Sequence, residues 1–333
     1  MKKVIIFLLE KWKYILLYIV VLSICLVKLP YYIDAPGGLI NVGDRIQVEN
    51  GYKSKGSLNL AYVTEYNATI PMLILSFFNK DWTVNEIGTP EEKKYYDESI
   101  VRDKLWMKEA YSNAVILAYR KANKEVMITN EEIYVVHIFK EANSDLKVGD
   151  RILSIDNVPI NTKNSISNAI KDKNVGDRIS IKVVNNKKEY NRYAYLLESN
   201  DNKIIGIVPA EIKEYNVKPK IKVHYENSES GPSGGLMIAL AIYDALTEED
   251  ITGGLTIVGT GTIDLDGNVG EIGGVEYKIK GAVKSKADIF FIPAGENYEE
   301  AKKLVEKKKY KIKVVPVNTF DEALDYLKKN VMK

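Results

Sequence analysis

From Ser230 to Met237 the chain reads Ser-Gly-Pro-Ser-Gly-Gly-Leu-Met. Glycines on both sides of Ser233 allow a sharp turn and close backbone approach. Behind them Leu236, Met237, Leu240, Ala241 and Leu246 recur near one helical face, which calls for a helix buried in a core. Strands expected at Ile221–Tyr225, Leu255–Gly259, Ile289–Pro293 and Ile312–Val317 surround that helix. Helices expected at Val275–Lys286 and Glu299–Lys309 alternate with them, and a last helix opens on the capping box Thr319-Phe-Asp-Glu322. Asp266-Gly267 reads as a hairpin turn between short apolar runs. From residue 204 onward the pattern is therefore α/β.

The first half is less regular. Residues 31–55, with Pro36-Gly37-Gly38, read as a linker carrying at most a short strand at Arg45–Val48. Ser57–Val63 alternates, and Met72–Phe78 is apolar enough for a buried strand paired with it. Thr89-Pro90 starts a long helix over Glu91–Lys124, with Ile100, Leu105, Ala110, Ala114, Leu117 and Ala118 near 3.6 spacing. After Ala122-Asn123-Lys124 the composition changes to short strands: Glu132–Phe139, Leu146–Ile160 and Asp177–Val184, with one helix near Ser165–Lys171.

At 333 residues, 46% hydrophobic and 28% charged, the chain can fill two domains, and disorder and fibre are excluded. Its 47 basic and 45 acidic side chains leave a net charge of +2, so no partnership with nucleic acid is expected. The lysines near 302–309 alternate with Glu299, Glu300 and Glu306 as a solvated helix face. Cys25 is the single cysteine, which excludes a disulfide within one chain. Tyr14–Val27 is apolar except for Ser23 and approaches the ~20 residues that cross a bilayer. An uncleaved anchor is the expectation; a cleaved signal fits poorly for want of small residues before a cut, and a buried helix is the third reading. Lys2, Lys3, Lys11 and Lys13 precede the span while Lys28 alone follows closely. By the positive-inside rule the tail is then cytoplasmic and everything after Pro30 lies outside.

Ser233 has the setting of a nucleophile. A hydroxyl needs a base, and the anion formed on the attacked carbonyl needs donors; Gly231 and Gly234 let a substrate backbone approach, and the helix start offers unpaired amides. Taken alone the motif reads as a loop and helix cap before it reads as a site. Two histidines are present, His137 and His224, and both read as strand residues. Lys278 follows Gly273-Gly274 among Ile272, Val275, Ile279 and Ala282, where burial would depress its pKa and make it a base. Thr260, in Val-Gly-Thr-Gly, is placed to orient the amine. No Gly-Lys dipeptide occurs, so there is no Walker A loop and no ATP is expected; no His-Glu-x-x-His or cysteine cluster suggests a metal. Asp264 and Asp266 read as turn formers. Cofactors are expected to be none.

Leu146-Lys-Val-Gly-Asp-Arg-Ile-Leu-Ser-Ile-Asp156 with Val158-Pro-Ile160 looks like the centre of a PDZ domain, whose carboxylate-binding loop would fall near Asn130–Tyr134 and lacks glycine there. Gly-Pro-Ser-Gly-Gly-Leu-Met, the run from Gly259 to Gly274 and Val275-Glu-Tyr-Lys278 resemble the Lon proteolytic domain. With Tyr32–Gly37 and the N-terminal run, the layout resembles the membrane-anchored, PDZ-containing Lon-like serine proteases of Gram-positive bacteria. That resemblance implies Ser233 as nucleophile, Lys278 as general base and Thr260 as its hydroxyl partner, working without ATP. It departs from the family pattern at Gly234, where alanine is usual, and in the helix after Lys278.

The implied organisation is a tail (1–13), an anchor (14–30), a linker (31–55), a first protease segment (56–124), an inserted PDZ-like unit (125–203) and the catalytic segment (204–333). The implied fold is an α/β (α+β) Lon-type domain with a small β-rich PDZ-like insertion and a transmembrane helix. The implied function is a membrane-tethered serine endopeptidase cleaving extracellular or membrane-associated peptides or proteins, open to homo-oligomer formation. An inactive PDZ adaptor or sensor at the membrane and a soluble cytoplasmic peptidase are the alternatives.

Overall fold

The computed structural model describes residues 2–331, with side chains described from residue 10 onward. It begins with helix α1 (Lys2–Leu26), whose described side chains from Trp12 to Leu26 are almost all exposed. The expected membrane span is corrected here. Among the described residues no helix is long and apolar enough to cross a membrane. Glu10, Lys11 and Lys13 charge the turns before Tyr14 and the helix ends at Leu26, so the apolar stretch falls short of the ~20 residues a bilayer requires. The anchor at 14–30 and the single-pass, outward-facing localisation built on it lose their support together. Lys2 and Lys3, which entered the orientation argument, have side chains outside the described set.

The supposed linker holds a strand of the central sheet. Strand β1 (Tyr31–Asn41) leads through a 3-10 turn at Val42–Arg45 to β2 (Ile46–Val48), and β3 (Ser57–Asn67) runs back antiparallel to β1. Gly37 is required by this pairing, because a Cβ there would lie 2.2 Å from the Tyr62 carbonyl oxygen. The expected buried strand at Met72–Phe78 is instead part of helix α2 (Ile70–Ser76), which buries no residue and leaves Phe77 and Phe78 exposed. Pro71 presets the first turn, and both edges of β3 are already taken, by β1 and by the later strand at Thr256–Gly259, so no ladder is open to a further strand. Strand β4 (Thr83–Glu86) adds to the far side of β1. Helix α3 (Pro90–Lys121) then starts on a full capping box between Thr89 and Glu92.

A second sheet follows. Strands β5 (Glu125–Ile138), β6 (Arg151–Ile155) and β7 (Val158–Pro159), helix α4 (Lys163–Ile170), and strands β8 (Arg178–Asn185) and β9 (Lys188–Tyr195) come first. The short hairpin β10 (Leu197–Ser199) and β11 (Asn202–Ile204) leads into β12 (Ile207–Lys218), giving the sheet order β12-β5-β6-β8-β9 with β7 on β6. Ile133, Val135, Ile152, Ile155, Ile179, Ile181 and Val183 form its own core. Asn130–Tyr134 is no loop. It lies within β5, bonded to β12 on one side and, at Ile133 and Tyr134, to β6 on the other. β12 pairs with β5 from Ile207↔Ile138 to Lys218↔Glu125, so this unit extends past residue 203, and its two ends leave side by side.

The return segment carries β13 (Ile221–Val223), α5 (Gly235–Leu246), β14 (Thr256–Gly259), β15 (Thr262–Ile263), β16 (Val269–Gly270), α6 (Val275–Lys284), β17 (Ile289–Pro293), α7 (Glu296–Lys308), β18 (Lys313–Val317) and α8 (Phe320–Asn330). The central sheet runs β18-β17-β14-β3-β1-β4, with β18, β17, β14 and β3 parallel. β3 and β14 are neighbours although the β-rich unit separates them in sequence. Alternation divides the sheet's faces: Ile257 and Phe291 join α3, α5 and α8 in one core, while Val258, Phe290 and Ile292 join α6 and α7 in another. The result is a three-layer α/β unit with a β-rich unit inserted through α3.

Candidate active site

Ser233 sits in the turn that opens α5. The Gly235 N–H donates to the Pro232 carbonyl at 3.2 Å, and the Leu236 N–H donates across to Gly261 at 3.1 Å, which pins the helix start to the β14–β15 segment. Gly235 has to be glycine: a Cβ would lie 2.8 Å from Ile263 Cγ2 and 3.0 Å from its backbone nitrogen. At Gly234 a Cβ would meet the flexible ends of Leu60, at 3.2 Å, and Ile238, at 3.4 Å, so the alanine usual in the resembled family would fit with a small shift. Among the described residues the N–H groups of Ser233 and Gly234 find no acceptor, leaving two free amides at the positive end of α5. Gly231, at φ +92°, spends its own N–H on the Asp103 carbonyl of α3 at 3.0 Å. It shapes the loop and is not a free donor.

Lys278 lies in the first turn of α6, which starts on Gly274 in the left-handed region at φ +70°. The side chain is 4% exposed and its Nζ reaches Thr260 Oγ1 at 3.2 Å. Thr260, fully buried, donates its hydroxyl to the Ser233 carbonyl at 3.1 Å, and the same carbonyl accepts the Gly261 N–H at 2.8 Å. No carboxylate pairs with the amine in this setting, and burial alone pushes its pKa from 10.5 to about 8. A substantial share of Lys278 is thus neutral at mildly alkaline pH. Gly281, one turn on, is part of the same design, since a Cβ there would lie 2.9 Å from the Gly37 carbonyl oxygen; it lets α6 press onto β1.

Ser233 and Lys278 line one cleft of about 430 Å³, together with Thr262, Glu271, Asp103 and Trp106. All five residues singled out in the sequence meet around this cleft: Gly231, Ser233 and Lys278 line it, Thr260 links the serine turn to the lysine, and Gly234 lies beneath the turn. Asp103 and Trp106 were not anticipated. Their helix was legible, but nothing in its periodicity says that this stretch of α3 crosses the Ser233 turn. His224 bonds through its N–H to Arg45 and does not line the cleft, and His137 packs edge-on against Phe139 within β5. Asp264 collects the Asp266 and Asn268 N–H groups in the β15–β16 turn. Among the described residues no group of three or more His, Cys, Asp or Glu side chains could hold a metal ion. Chemically, the cleft offers a hydroxyl, a buried amine with a lowered pKa, and free amides at a helix start, which is equipment for acyl transfer.

Residues 197–329 match the Lon protease (S16) C-terminal proteolytic domain, and residues 103–192 match the PDZ domain. A Lon protease of Aster yellows witches'-broom phytoplasma is 35% identical over 95 residues, covering 28% of this chain and 12% of its own. Lon protease 2 of Bacillus subtilis is 39% identical over 95 residues, 28% of this chain and 16% of its own. The Lon protease of Neorickettsia sennetsu is 32% identical over 99 residues, 30% and 12% respectively. The matches thus span well under a fifth of the length of these relatives. Part of the chain is thus similar to the proteolytic domain of Lon proteases and part to PDZ domains.

Proposed function

We propose that the chain hydrolyses polypeptides through a Ser233–Lys278 dyad, without ATP. The observation that carries this reading is the amine of Lys278, buried without a carboxylate, lowered to about 8 and linked through Thr260 to the serine's own carbonyl at the floor of a cleft. In the first step neutral Lys278 takes the Ser233 hydroxyl proton as Oγ attacks the scissile carbonyl carbon, and the oxyanion faces the free amides at the α5 start. The ammonium then returns that proton to the departing amine nitrogen, and the C–N bond breaks to leave an ester on Ser233. Water, deprotonated by the same amine, attacks the ester; the proton returns to Oγ and the carboxylic acid leaves. Each donated amide at the oxyanion is worth about 2.7–4 kcal/mol of barrier. Independence from ATP is proposed because the sequence supplies the dyad and no nucleotide loop.

The test is hydrolysis of fluorescein-labelled casein with no nucleotide added. Ser233→Ala and Lys278→Met are each expected to abolish turnover while the protein stays folded. Comparable turnover in either variant removes the dyad, and turnover that appears only when ATP is supplied removes the second half of the proposal.

A further inference from the structure

A strand that ends a sheet presents a row of unpaired N–H and C=O groups, and peptide-binding sheets exploit such an edge by adding the peptide as one more strand. In the β-rich unit β12 is an edge, since among the described residues β5 is its only partner in the sheet. Two of its outward N–H groups are already occupied. Pro209 supplies no N–H. The Glu211 N–H donates to Glu109 Oε1 at 3.0 Å, and the Lys213 N–H reaches Ser112 Oγ at 3.5 Å; both acceptors stand on α3, one turn apart. Glu109 also holds Lys163 Nζ at 2.7 Å, and Glu211 Oε1 accepts the Lys163 N–H at 3.0 Å. The start of α4, the helix beside this edge, is therefore tied to the same carboxylates. Lys213, itself buried, pairs with Glu211 at 2.7 Å.

An apolar contact continues the seam. Leu105 of α3, Val136 of β5 and Ala210 of β12 form a buried cluster, against which Trp106, Tyr134, Val208 and Ile212 pack. Trp106 belongs to both worlds: it leans on this cluster and lines the cleft that holds Ser233 and Lys278. Close by on α3, the Asp103 carbonyl takes the Gly231 N–H of the serine loop.

We propose that the β-rich unit closes its peptide-accepting edge on α3 and thereby positions Trp106 as a wall of the substrate cleft. The unit then serves as part of the cleft, not as a separate collector of peptides. Trp106 touches what enters the cleft, while Glu109 and Ser112 are positioning residues that act through it. The inference deepens the proteolytic reading and rests on it only where turnover is measured.

The experiment uses the full chain with Trp12→Phe and Trp82→Phe, which leaves Trp106 as the sole tryptophan of three. Glu109→Ala removes the acceptor of the edge; Glu109→Gln keeps a carbonyl oxygen for the Glu211 N–H while losing the ion pair with Lys163. In the alanine variant acrylamide is expected to quench Trp106 more strongly. KM for fluorescein-labelled casein should rise roughly two- to tenfold, the range for one hydrogen bond, with a smaller change in kcat. The glutamine variant should stay near its parent in both. If Glu109→Ala does not fold, Ser112→Ala removes the second acceptor and is read the same way. Quenching and KM unchanged in the alanine variant overturn the proposal. So does a glutamine variant that fails as alanine does, because the ion pair and not the closed edge would then hold the seam. A parent without turnover sinks the proteolytic reading alone, and the fluorescence still decides the seam.

Discussion

Lys278 is disfavoured as an ammonium by burial, with no carboxylate paired to it among the described residues, and this one residue ties activity and stability to pH. Since the neutral amine is the base, kcat/KM should climb about tenfold per pH unit below 8 and level off above it, as a profile measured from pH 6 to 10 would show. Stability carries the same signature. The folded pKa of about 8 lies below the ordinary 10.5, so the penalty for burying the charge is present in full below pH 8 and fades as pH rises toward 10.5. Lys278→Met should therefore be more stable than the parent at pH 7, by up to about 3 kcal/mol from the shift itself and less by the ~1 kcal/mol of the hydrogen bond to Thr260. Urea midpoints at pH 7 and pH 10 check this, and the advantage should shrink at the higher value. Ser233 and Lys278 were legible in the sequence because chemistry restricts the options: a glycine-bracketed serine needs a base, and only one lysine combines a glycine-led helix start with apolar neighbours. Trp106 was not, because its place beside them is set by the crossing of α3, which no local pattern encodes.

The start of α5 shows how tightly an element can be specified. Gly235→Ala would force a Cβ into Ile263, at its side chain and its backbone alike, and should cost about 1–3 kcal/mol while displacing the amides that face the cleft. Gly234→Ala meets only the mobile ends of Leu60 and Ile238 and should stay within roughly 0.5 kcal/mol and keep its activity. Thermal melts and casein hydrolysis of the two variants side by side check the contrast; equal losses would mean that the turn is governed by something other than this contact. α5 was readable because nearly all of it is buried and its length suits nothing but a helix. Met72–Phe78 was not, since a short apolar run fits a strand or a helix equally, and the choice was made by the filled edges of β3. β1 escaped notice for a related reason: Pro36 and two glycines look like a linker, yet Gly37 and Gly281 are what allow β1 to receive Tyr62 on one side and α6 on the other.

Across the whole molecule, one sheet gathers strands from both sides of the β-rich unit, so the catalytic layer cannot form until β3 and β14 meet. Tyr215, Val126 and Val217, at the base of the β5–β12 ribbon, are part of the main core, which makes the ribbon a rooted connection instead of a free hinge. α1 is the opposite case. Its described side chains join none of the hydrophobic cores, and its last turn is succeeded by two backbone bonds, from the Leu29 N–H to Ala68 and from the Ile87 N–H to Pro30, before β1 begins. A chain beginning at Lys28 should therefore fold with a melting temperature within a few degrees of the full chain, because a helix without core contacts contributes little to the cooperative unit. The exposed row from Trp12 to Val27 is a contiguous apolar surface of the kind that drives association. The full chain should accordingly form concentration-dependent assemblies in detergent-free buffer that the shortened chain does not, as light scattering over a dilution series would register. A shortened chain that loses its cooperative melt would instead mean that α1 is built into the fold through contacts beyond the bonds at Leu29 and Pro30.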